Sequence, residues 1–217
     1  MRYDVAVFDM DGTILDTLED LKNSVNFALR GAGFPERSLD EIRTFVGNGI
    51  RLLVERSVPE GTSAEKTDEC FAVFKKHYAE HSLDKTRPYD GITALLEELR
   101  ARGVKTAVVS NKIDGAVQEL CKTFFDGLFD SSVGEREGVA RKPAPDSVFT
   151  ALKEMNVTAE KAVYIGDSDV DIATARNSGL PCIAVLWGFR SKELLEKLAP
   201  EYIVEKPGQI LGIIEGE

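Results

Sequence analysis

Cysteine, histidine and tryptophan are scarce in this sequence. The chain has three cysteines, two histidines and one tryptophan in 217 residues. The cysteines are widely spaced, odd in number and outside any CxxC pattern, so they favour a reduced protein with buried thiols over a disulfide framework. His77 and His81 stand four apart, but no third ligand cluster accompanies them. We therefore expect both histidines at the surface and no zinc site.

Positive charge and long uncharged stretches are lacking as well. Lysine and arginine total 27 against 37 acidic residues, for a net charge of −10. This excess disfavours binding to nucleic acid or to anionic lipid. No uncharged run approaches the length of a membrane span, and Met1 leads into the first apolar run without a signal-peptide pattern. We expect a cytoplasmic protein, monomeric or homodimeric, that acts on a small molecule.

The order of apolar patterns predicts an α/β fold. Hydrophobic residues make up 43% of the chain, which is enough for a core. Short buried strands are predicted at residues 5–8, 104–109, 127–131, 162–165, 182–186 and 202–204. From residue 88 onward these strands alternate with helical patterns, which is typical of a doubly wound parallel sheet, as in a Rossmann-like core.

A separate helical block is predicted between the first two strands. Residues 16–86 show helical periodicity throughout, and Ser38-Leu39-Asp40-Glu41 forms a capping-box signature. The first strand precedes this block, and its expected neighbour in the sheet follows it. We therefore predict a core of residues 1–15 and 87–217, with residues 16–86 inserted as an all-helical cap over the strand ends.

Polar residues end three of the predicted strands. Asp9 and Asp11 follow the first strand, Ser110 and Asn111 the second, and Asp167 follows the strand at 162–165. In parallel sheets the ligand site lies beyond the carboxyl ends of the strands, so these residues are expected to meet. Two neighbouring carboxylates also repel unless a cation relieves them. An ordinary Asp-Gly turn or a set of helix N-caps is the alternative interpretation.

An acidic cluster and one lysine complete the candidate site. Asp167 and Asp171 stand four apart at a predicted helix start, so they share a face and, with Asp9, offer the hard oxygen ligands suited to Mg²⁺. The alternative is that these aspartates only favour the helix N-terminus. Lys142 lies on a loop stiffened by Pro143 and Pro145 and could neutralise this charge, although a lone lysine is usually solvated.

Asp9-Met10-Asp11-Gly12-Thr13 resembles the nucleophile loop of the haloacid dehalogenase superfamily of phosphohydrolases, and the other superfamily motifs follow in order along nearly the whole chain. This resemblance implies that Asp9 is a nucleophile and Asp11 a general acid/base. Ser110 and the Asn111 backbone would hold phosphoryl oxygens, with Thr13 also contacting substrate, and Lys142 would neutralise charge. Mg²⁺ would bind Asp9, the Asp11 carbonyl and Asp167, with Asp171 acting through water.

Two further features resemble a particular branch of the superfamily. An acid at position 11 is typical of phosphate-ester chemistry, and Phe45-Val46-Gly47-Asn48-Gly49-Ile50-Arg51 resembles the cap loop of phosphoglycolate phosphatases. Gly47, Asn48 and Gly49 would then approach the substrate, and Arg51 could pair with its carboxylate. Alternatively, the glycines only turn the chain and Arg51 is solvated.

The implied function is Mg²⁺-dependent hydrolysis of a small phosphomonoester through an aspartyl phosphate. A pyrophosphatase, a phosphosugar mutase and a non-catalytic phosphate-binding module remain as alternatives.

Overall fold

The structure is a computed structural model that describes residues 1–216, and it divides into two compact units. The core unit contains Met1–Leu15 and the chain from Pro88 onward, and the inserted unit is Asp16–Arg87. Within the described residues, no helix is both long and apolar enough to cross a membrane.

In chain order the elements are β1 (Val5–Phe8), β2 (Leu15–Asp16), α1 (Leu18–Gly31), α2 (Leu39–Phe45), α3 (Ile50–Ser57), α4 (Ala64–His81), β3 (Arg87–Pro88), α5 (Ile92–Ala101), β4 (Lys105–Ile113), α6 (Asp114–Phe125), β5 (Ser131–Glu135), α7 (Asp146–Glu154), β6 (Ala162–Gly166), α8 (Asp169–Ser178), β7 (Cys182–Val185), α9 (Lys192–Lys197), β8 (Tyr202–Val204) and α10 (Gly208–Glu215).

The core unit is built on a parallel sheet with the strand order β5-β4-β1-β6-β7-β8. Every pairing in this sheet is parallel. The chain adds β4 and β5 on one side of β1, then crosses over and adds β6, β7 and β8 on the other side. This reversal of direction at β1 confirms the predicted doubly wound α/β fold, and it marks the strand end where ligands bind in such sheets.

Strand β1 is buried on both of its faces. Ala6 and Phe8 belong to one apolar core, with α5, α6 and α10 residues, and Val5 and Val7 belong to the other, with α7, α8 and α9 residues. Alternate residues of a strand point to opposite faces, so a strand covered on both sides reads as a continuous apolar run. This burial fixes the position of the residue that follows the strand.

Two strand predictions within the core unit were wrong in detail, and one helix was not predicted. The strand predicted at 127–131 lies at Ser131–Glu135, because Leu128 and Phe129 pack against the core within the connection from α6 to β5 instead. The Phe129 ring makes edge contacts with Phe8 and Phe125 at centroid distances of 6.3 and 5.6 Å.

Strand β4 continues past the predicted end at Val109 to Ile113, with a shift of register against β5. Helix α10 was not predicted, because Gly208, Gly212 and Gly216 dilute its pattern, yet Ile210 and Ile214 are fully buried.

The inserted unit consists of helices α1 to α4, entered and left through the short strands β2 and β3, which pair with each other and were not predicted. The predicted capping box is present at α2, where Ser38 and Glu41 bond reciprocally. Asp20 on α1 is buried, and its Oδ2 accepts hydrogen bonds from the backbone N–H groups of Lys85 and Thr86 and from the Thr86 hydroxyl, at 2.8 to 2.9 Å. This contact ties the start of the unit to its end.

Candidate active site

The predicted site residues of the core unit gather beyond the carboxyl ends of β1, β4 and β6. Asp9 follows β1, Ser110 lies near the end of β4, and Asp167 follows β6. Because β1 pairs with both of the other strands, their ends are neighbours. Asp9, Ser110 and Asp167 are all buried. Each of these buried polar groups at the carboxyl ends of the strands needs a hydrogen-bond or charge partner.

Lys142 is the centre of the polar network. Its ammonium donates to Asp9 Oδ1 at 2.6 Å, to Asp171 Oδ1 at 2.8 Å and to the Tyr164 hydroxyl at 3.1 Å. An ammonium has three protons, so its donors are all engaged. Burial lowers the pKa of Lys142, but the charges of Asp171 and Asp9 outweigh it and hold the pKa above its usual value. The lysine predicted on a loop is therefore a buried cation.

Tyr164 was missed by the sequence analysis, since it lies inside the apolar run of β6. Its hydroxyl donates to Asp171 Oδ1 at 3.0 Å and accepts from Lys142. Burial, followed by the charge of Asp171, raises the pKa of Tyr164 well above its usual value, so the hydroxyl keeps its proton. No periodicity distinguishes a buried tyrosine of this kind from a packing residue.

Asp171 is engaged on both of its carboxylate oxygens. Oδ1 meets Lys142 and Tyr164, and Oδ2 accepts from the Ser168 hydroxyl at 2.6 Å and from its backbone N–H at 3.1 Å. The contact with Ser168 is a capping box at the start of α8. In this structure Asp171 therefore orients the lysine and caps a helix. The sequence analysis gave the helix N-terminus as the alternative to a role toward a metal, and it did not predict the contact with Lys142.

The three buried carboxylates can converge on one cation. Ligand oxygens of Asp9, Asp167 and Asp171 lie within 4.8 Å of one another. Burial and then the charge of Asp171 raise the pKa of Asp9 well above its usual value, although Lys142 opposes this. The same two causes raise the pKa of Asp167 to about 7. Negative charge exceeds what Lys142 can balance, so the donor set suits a hard divalent ion.

Asp167 lies in a cradle made by two glycines. A Cβ at Gly12 would lie 2.6 Å from Asp167 Oδ2, and one at Gly188 would lie 2.3 Å from Asp167 Cβ. Gly12 also has φ +90°, a conformation that favours glycine. The Phe189 backbone N–H donates to Asp167 Oδ2 at 2.7 Å. Gly188 was not among the predicted site residues. Its role is to let the backbone approach the Asp167 side chain closely, since any larger residue would clash there.

Thr13 supports this cradle from the other side. Its hydroxyl donates to Asp167 Oδ1 at 3.2 Å, and its carbonyl accepts from Trp187 Nε1 at 2.9 Å. Thr13 is fully buried. The structure thus brings Thr13 to Asp167, whereas the sequence analysis had expected it to contact substrate.

Ser110 and Asn111 are brought into the site by different contacts. The Ser110 hydroxyl accepts from the Lys112 backbone N–H at 3.1 Å. The side chain of Asn111 clamps the backbone of Lys142, accepting from its N–H at 2.8 Å and donating to its carbonyl at 3.1 Å. The sequence analysis had considered the backbone of Asn111 and missed this side-chain clamp, which joins the end of β4 to the lysine loop.

Asp11 pairs with a second lysine that the sequence analysis did not single out. Lys112 Nζ lies 3.1 Å from Asp11 Oδ1, and the exposed fractions of the two side chains are 5% and 18%. Asp9 and Asp11, predicted to leave the strand end side by side, therefore each have a lysine partner of their own. The sequence could have indicated this pair, because Lys112 directly follows Ser110 and Asn111, which were already predicted to lie in the site.

Of the predicted residues of the inserted unit, Gly47, Asn48 and Gly49 connect α2 to α3, and Arg51 lies in the first turn of α3. Gly47 and Gly49 have φ of +121° and +85°, and the Asn48 side chain accepts from Arg56 at 2.9 Å. Arg51 pairs with Glu55 at 2.6 Å and also with Asp68. The positive φ angles account for the two glycines as turn residues. A role of this segment toward substrate stays a prediction.

A polar cavity of about 420 Å³ lies elsewhere in the inserted unit, lined by residues that include Asn26, Arg37 and His77. Gly47, Asn48, Gly49 and Arg51 do not line it.

Comparison with known proteins agrees with this geometry. The sequence model of the haloacid dehalogenase-like hydrolases matches residues 6–185. A phosphoglycolate phosphatase of Aquifex aeolicus is 32% identical over 97% of this chain and 96% of its own. A protein of Caldanaerobacter subterraneus subsp. tengcongensis, provisionally named pyrophosphatase PpaX, is 30% identical over 100% of this chain and 96% of its own.

Solved structures give the same result. A crystal structure from Lactobacillus delbrueckii subsp. bulgaricus, provisionally assigned as a phosphoglycolate phosphatase, has a TM-score of 0.95 and 40% identity, with all of both chains covered. A doubly wound core that gathers buried aspartates and a lysine at its strand ends defines a class of hydrolytic α/β proteins. Within that class, this chain belongs to the haloacid dehalogenase-like hydrolases.

Proposed function

We propose that this protein is a Mg²⁺-dependent phosphatase of small phosphomonoesters, with phosphoglycolate as its first candidate substrate. The observation that carries the proposal is the 2.6 Å contact between Lys142 and Asp9 Oδ1 inside a buried acidic cluster. A carboxylate held in this way at a strand end is a fixed nucleophile beside a fixed positive charge. The names of the relatives support the same chemistry.

The first half-reaction is attack by Asp9 on phosphorus. Lys142 holds Oδ1, so Oδ2 is the oxygen left to attack. A bond forms between Asp9 Oδ2 and phosphorus as the bond from phosphorus to the leaving oxygen breaks, and an aspartyl phosphate results. Asp11 gives a proton to the leaving oxygen. Ser110 holds a phosphoryl oxygen, and the positive charge of Lys142 offsets the charge that develops on the phosphoryl group.

The second half-reaction returns the enzyme to its starting state. Asp11 removes a proton from a water molecule, whose oxygen then bonds to phosphorus. The bond between phosphorus and Asp9 breaks, which releases inorganic phosphate and restores the carboxylate. Two transfers thereby replace one difficult hydrolysis.

Magnesium is the cation that fits the donor set. Asp9, Asp167 and the Asp11 carbonyl would hold it, and Asp171 would contribute through water. When bound, it supplies positive charge that offsets the charge of the phosphoryl oxygens. The cradle of Gly12 and Gly188 keeps Asp167 oriented for this purpose.

Choice of the leaving group is assigned to the inserted unit. The core residues described above handle the phosphoryl group alone, so discrimination must come from residues that meet the rest of the substrate. We assign this contact to Gly47, Asn48, Gly49 and Arg51. The ion pairs of Arg51 are exposed and therefore weak enough to be exchanged for a substrate carboxylate. We also place the protein in the cytoplasm, acting on a soluble metabolite.

Pyrophosphate is the second candidate substrate, because a relative that is 30% identical over the full length of this chain is provisionally named a pyrophosphatase. Phosphate release from phosphoglycolate, pyrophosphate and p-nitrophenyl phosphate, each measured with Mg²⁺ and after chelation, separates the two. We expect the highest kcat/KM on phosphoglycolate and no turnover without the metal. A higher value on pyrophosphate would favour the second candidate.

Asp9→Asn tests the covalent mechanism directly. The change is nearly isosteric, so the variant should keep its fold, lose turnover and lose the phosphorylated Asp9 peptide that mass spectrometry would detect after an acid quench. Asp4→Asn is the matched control, since Asp4 lies before the other end of β1 in an exposed pair with Lys161. Near-wild-type activity of Asp9→Asn would overturn the proposed mechanism.

A further inference from the structure

Lys112 is buried at the site but has no part in the mechanism above. Its side chain is 5% exposed, and its ammonium lies 3.1 Å from Asp11 Oδ1. Burying an ammonium is costly unless an anion and hydrogen bonds compensate it, so a lysine seldom occupies such a position without a reason. Each lysine forms an ion pair with a different aspartate of the loop after β1: Lys142 pairs with Asp9, and Lys112 pairs with Asp11.

The backbone that carries Lys112 is fixed on two sides. Its N–H donates to Ser110 Oγ at 3.1 Å. Across the sheet, a Cβ at Gly134 would lie 2.7 Å from the Lys112 carbonyl oxygen, so β5 approaches as closely as a glycine permits. The Gly134 backbone N–H donates in turn to Asp114 Oδ1 at 2.8 Å. The backbone of Lys112 is therefore held in place, which restricts where its side chain can reach.

Asp11 is more exposed than Lys112. It follows β1 by three residues, next to Gly12 in the left-handed region, and its side chain is 18% exposed. Proton transfer needs the carboxylate within hydrogen-bond distance of the leaving oxygen, at about 2.6–3.2 Å. A carboxylate that rotates freely on a turn spends much of its time outside that range.

We propose that Lys112 is a positioning residue that holds the carboxylate of Asp11 in its proton-transfer orientation. This inference rests on the proposed phosphatase function, in which Asp11 is the general acid/base. Lys112 acts through Asp11 and makes no bond to the substrate. It is thus the counterpart of Lys142, which orients the nucleophile.

The leaving group separates this role from a general structural one. The alkoxide of phosphoglycolate is a poor leaving group that needs a proton, whereas p-nitrophenolate leaves without one. Loss of orientation at Asp11 should therefore slow phosphoglycolate hydrolysis far more than p-nitrophenyl phosphate cleavage when phosphoryl transfer is measured in a single turnover. A misplaced catalytic group costs on the order of 10²-fold.

A double-mutant cycle tests the proposal with Lys112→Met, Asp11→Asn and the double variant. We expect Lys112→Met to lower the single-turnover rate on phosphoglycolate by about 10- to 100-fold and that on p-nitrophenyl phosphate by less than about 3-fold. In the Asp11→Asn background the lysine change should cost nothing further, because the residue through which it acts is gone. Lys112→Arg should restore part of the rate, since it keeps a cation near Asp11.

Lys105→Met is the matched control. It removes another lysine of β4, one that pairs with Asp130 at 3.2 Å in an exposed position. Equal losses on both substrates, or losses that add in the double variant, would overturn the proposal and leave the phosphatase function standing. A wild-type enzyme that hydrolyses neither substrate would overturn the proposed function and this inference with it.

Discussion

Replacing Asp167 with asparagine should make the metal-free protein more stable while it removes the response to Mg²⁺. The geometry allows the change without a lost contact. Asp167 accepts from the Phe189 backbone N–H and from the Thr13 hydroxyl. An asparagine oxygen can still accept from Phe189, and its amide can donate to the Thr13 hydroxyl, because a hydroxyl also accepts. The substitution therefore removes a buried charge and little else.

The magnitude follows from the pKa of Asp167. The carboxyl ionises near 3.8 in the unfolded chain and at about 7 in the folded one. Below pH 3.8 both states hold the proton, and the group costs no stability. Between pH 3.8 and 7 the unfolded chain releases this proton while the folded state keeps it, so the free energy of unfolding falls over that range and levels off above pH 7, where the folded state carries the buried anion. Each pKa unit corresponds to 1.36 kcal/mol, so the cost reaches at most about 4 kcal/mol at pH 8 and about 2 kcal/mol at pH 5.

Thermal unfolding in EDTA at pH 5 and pH 8 is the assay. For a chain of this size, 4 kcal/mol corresponds to a rise in Tm of roughly 8–16 °C. We expect Asp167→Asn to melt higher than the wild type, with the larger gap at pH 8. Added Mg²⁺ should raise the Tm of the wild type by mass action and leave the variant unchanged.

Asp169→Asn is the matched control, since Asp169 begins α8 two residues further along the chain but is 46% exposed in a pair with Arg190. It should show no comparable rise. A metal-free Asp167→Asn variant that is no more stable than the wild type at pH 8 would refute the reasoning, because the buried charge would then carry no cost.

Two further substitutions test individual contacts. Asn111→Ala removes both hydrogen bonds to the Lys142 backbone, so kcat should fall about 10-fold on every phosphomonoester. The control Asn177→Ala removes one exposed hydrogen bond to the Pro143 carbonyl and should have little effect. Equal effects of the two variants would show that the Asn111 contact with Lys142 is not needed for catalysis. Arg51→Ala should lower kcat/KM about 10-fold on phosphoglycolate and spare p-nitrophenyl phosphate, which has no carboxylate. Parallel losses on both substrates would instead make Arg51 a support of its own helix.

The residues at strand ends were predictable because two local signals coincide there. A buried strand reads as an apolar run, and a carboxylate directly after it stands out, as Asp9 and Asp167 do. Their arrangement at one edge then follows from the parallel sheet, which was also predicted and is confirmed. The catalytic roles assigned to these residues stay predictions.

Contacts between distant parts of the chain were beyond the same reasoning. Tyr164 resembles any packing residue of a strand until Lys142 and Asp171 are seen around it. Gly188 meets Asp167 through a loop whose path no periodicity encodes. The predicted position of β5 was wrong for a related reason. Phe129 is apolar and suggested a strand, but it packs against the core in the connection that precedes β5.

The pairing of β2 with β3 has a consequence for how such a protein can change over evolutionary time. The chain leaves the core at Leu15 and returns at Pro88, and these two points belong to one small hydrogen-bonded ribbon. To the core, the intervening residues are equivalent to a loop whose ends already touch. The entropy of closing a loop grows only slowly with its length. An insert of another size, or with another fold, could therefore replace this one at little cost to the sheet, and substrate range could diverge while the hydrolytic centre is inherited unchanged.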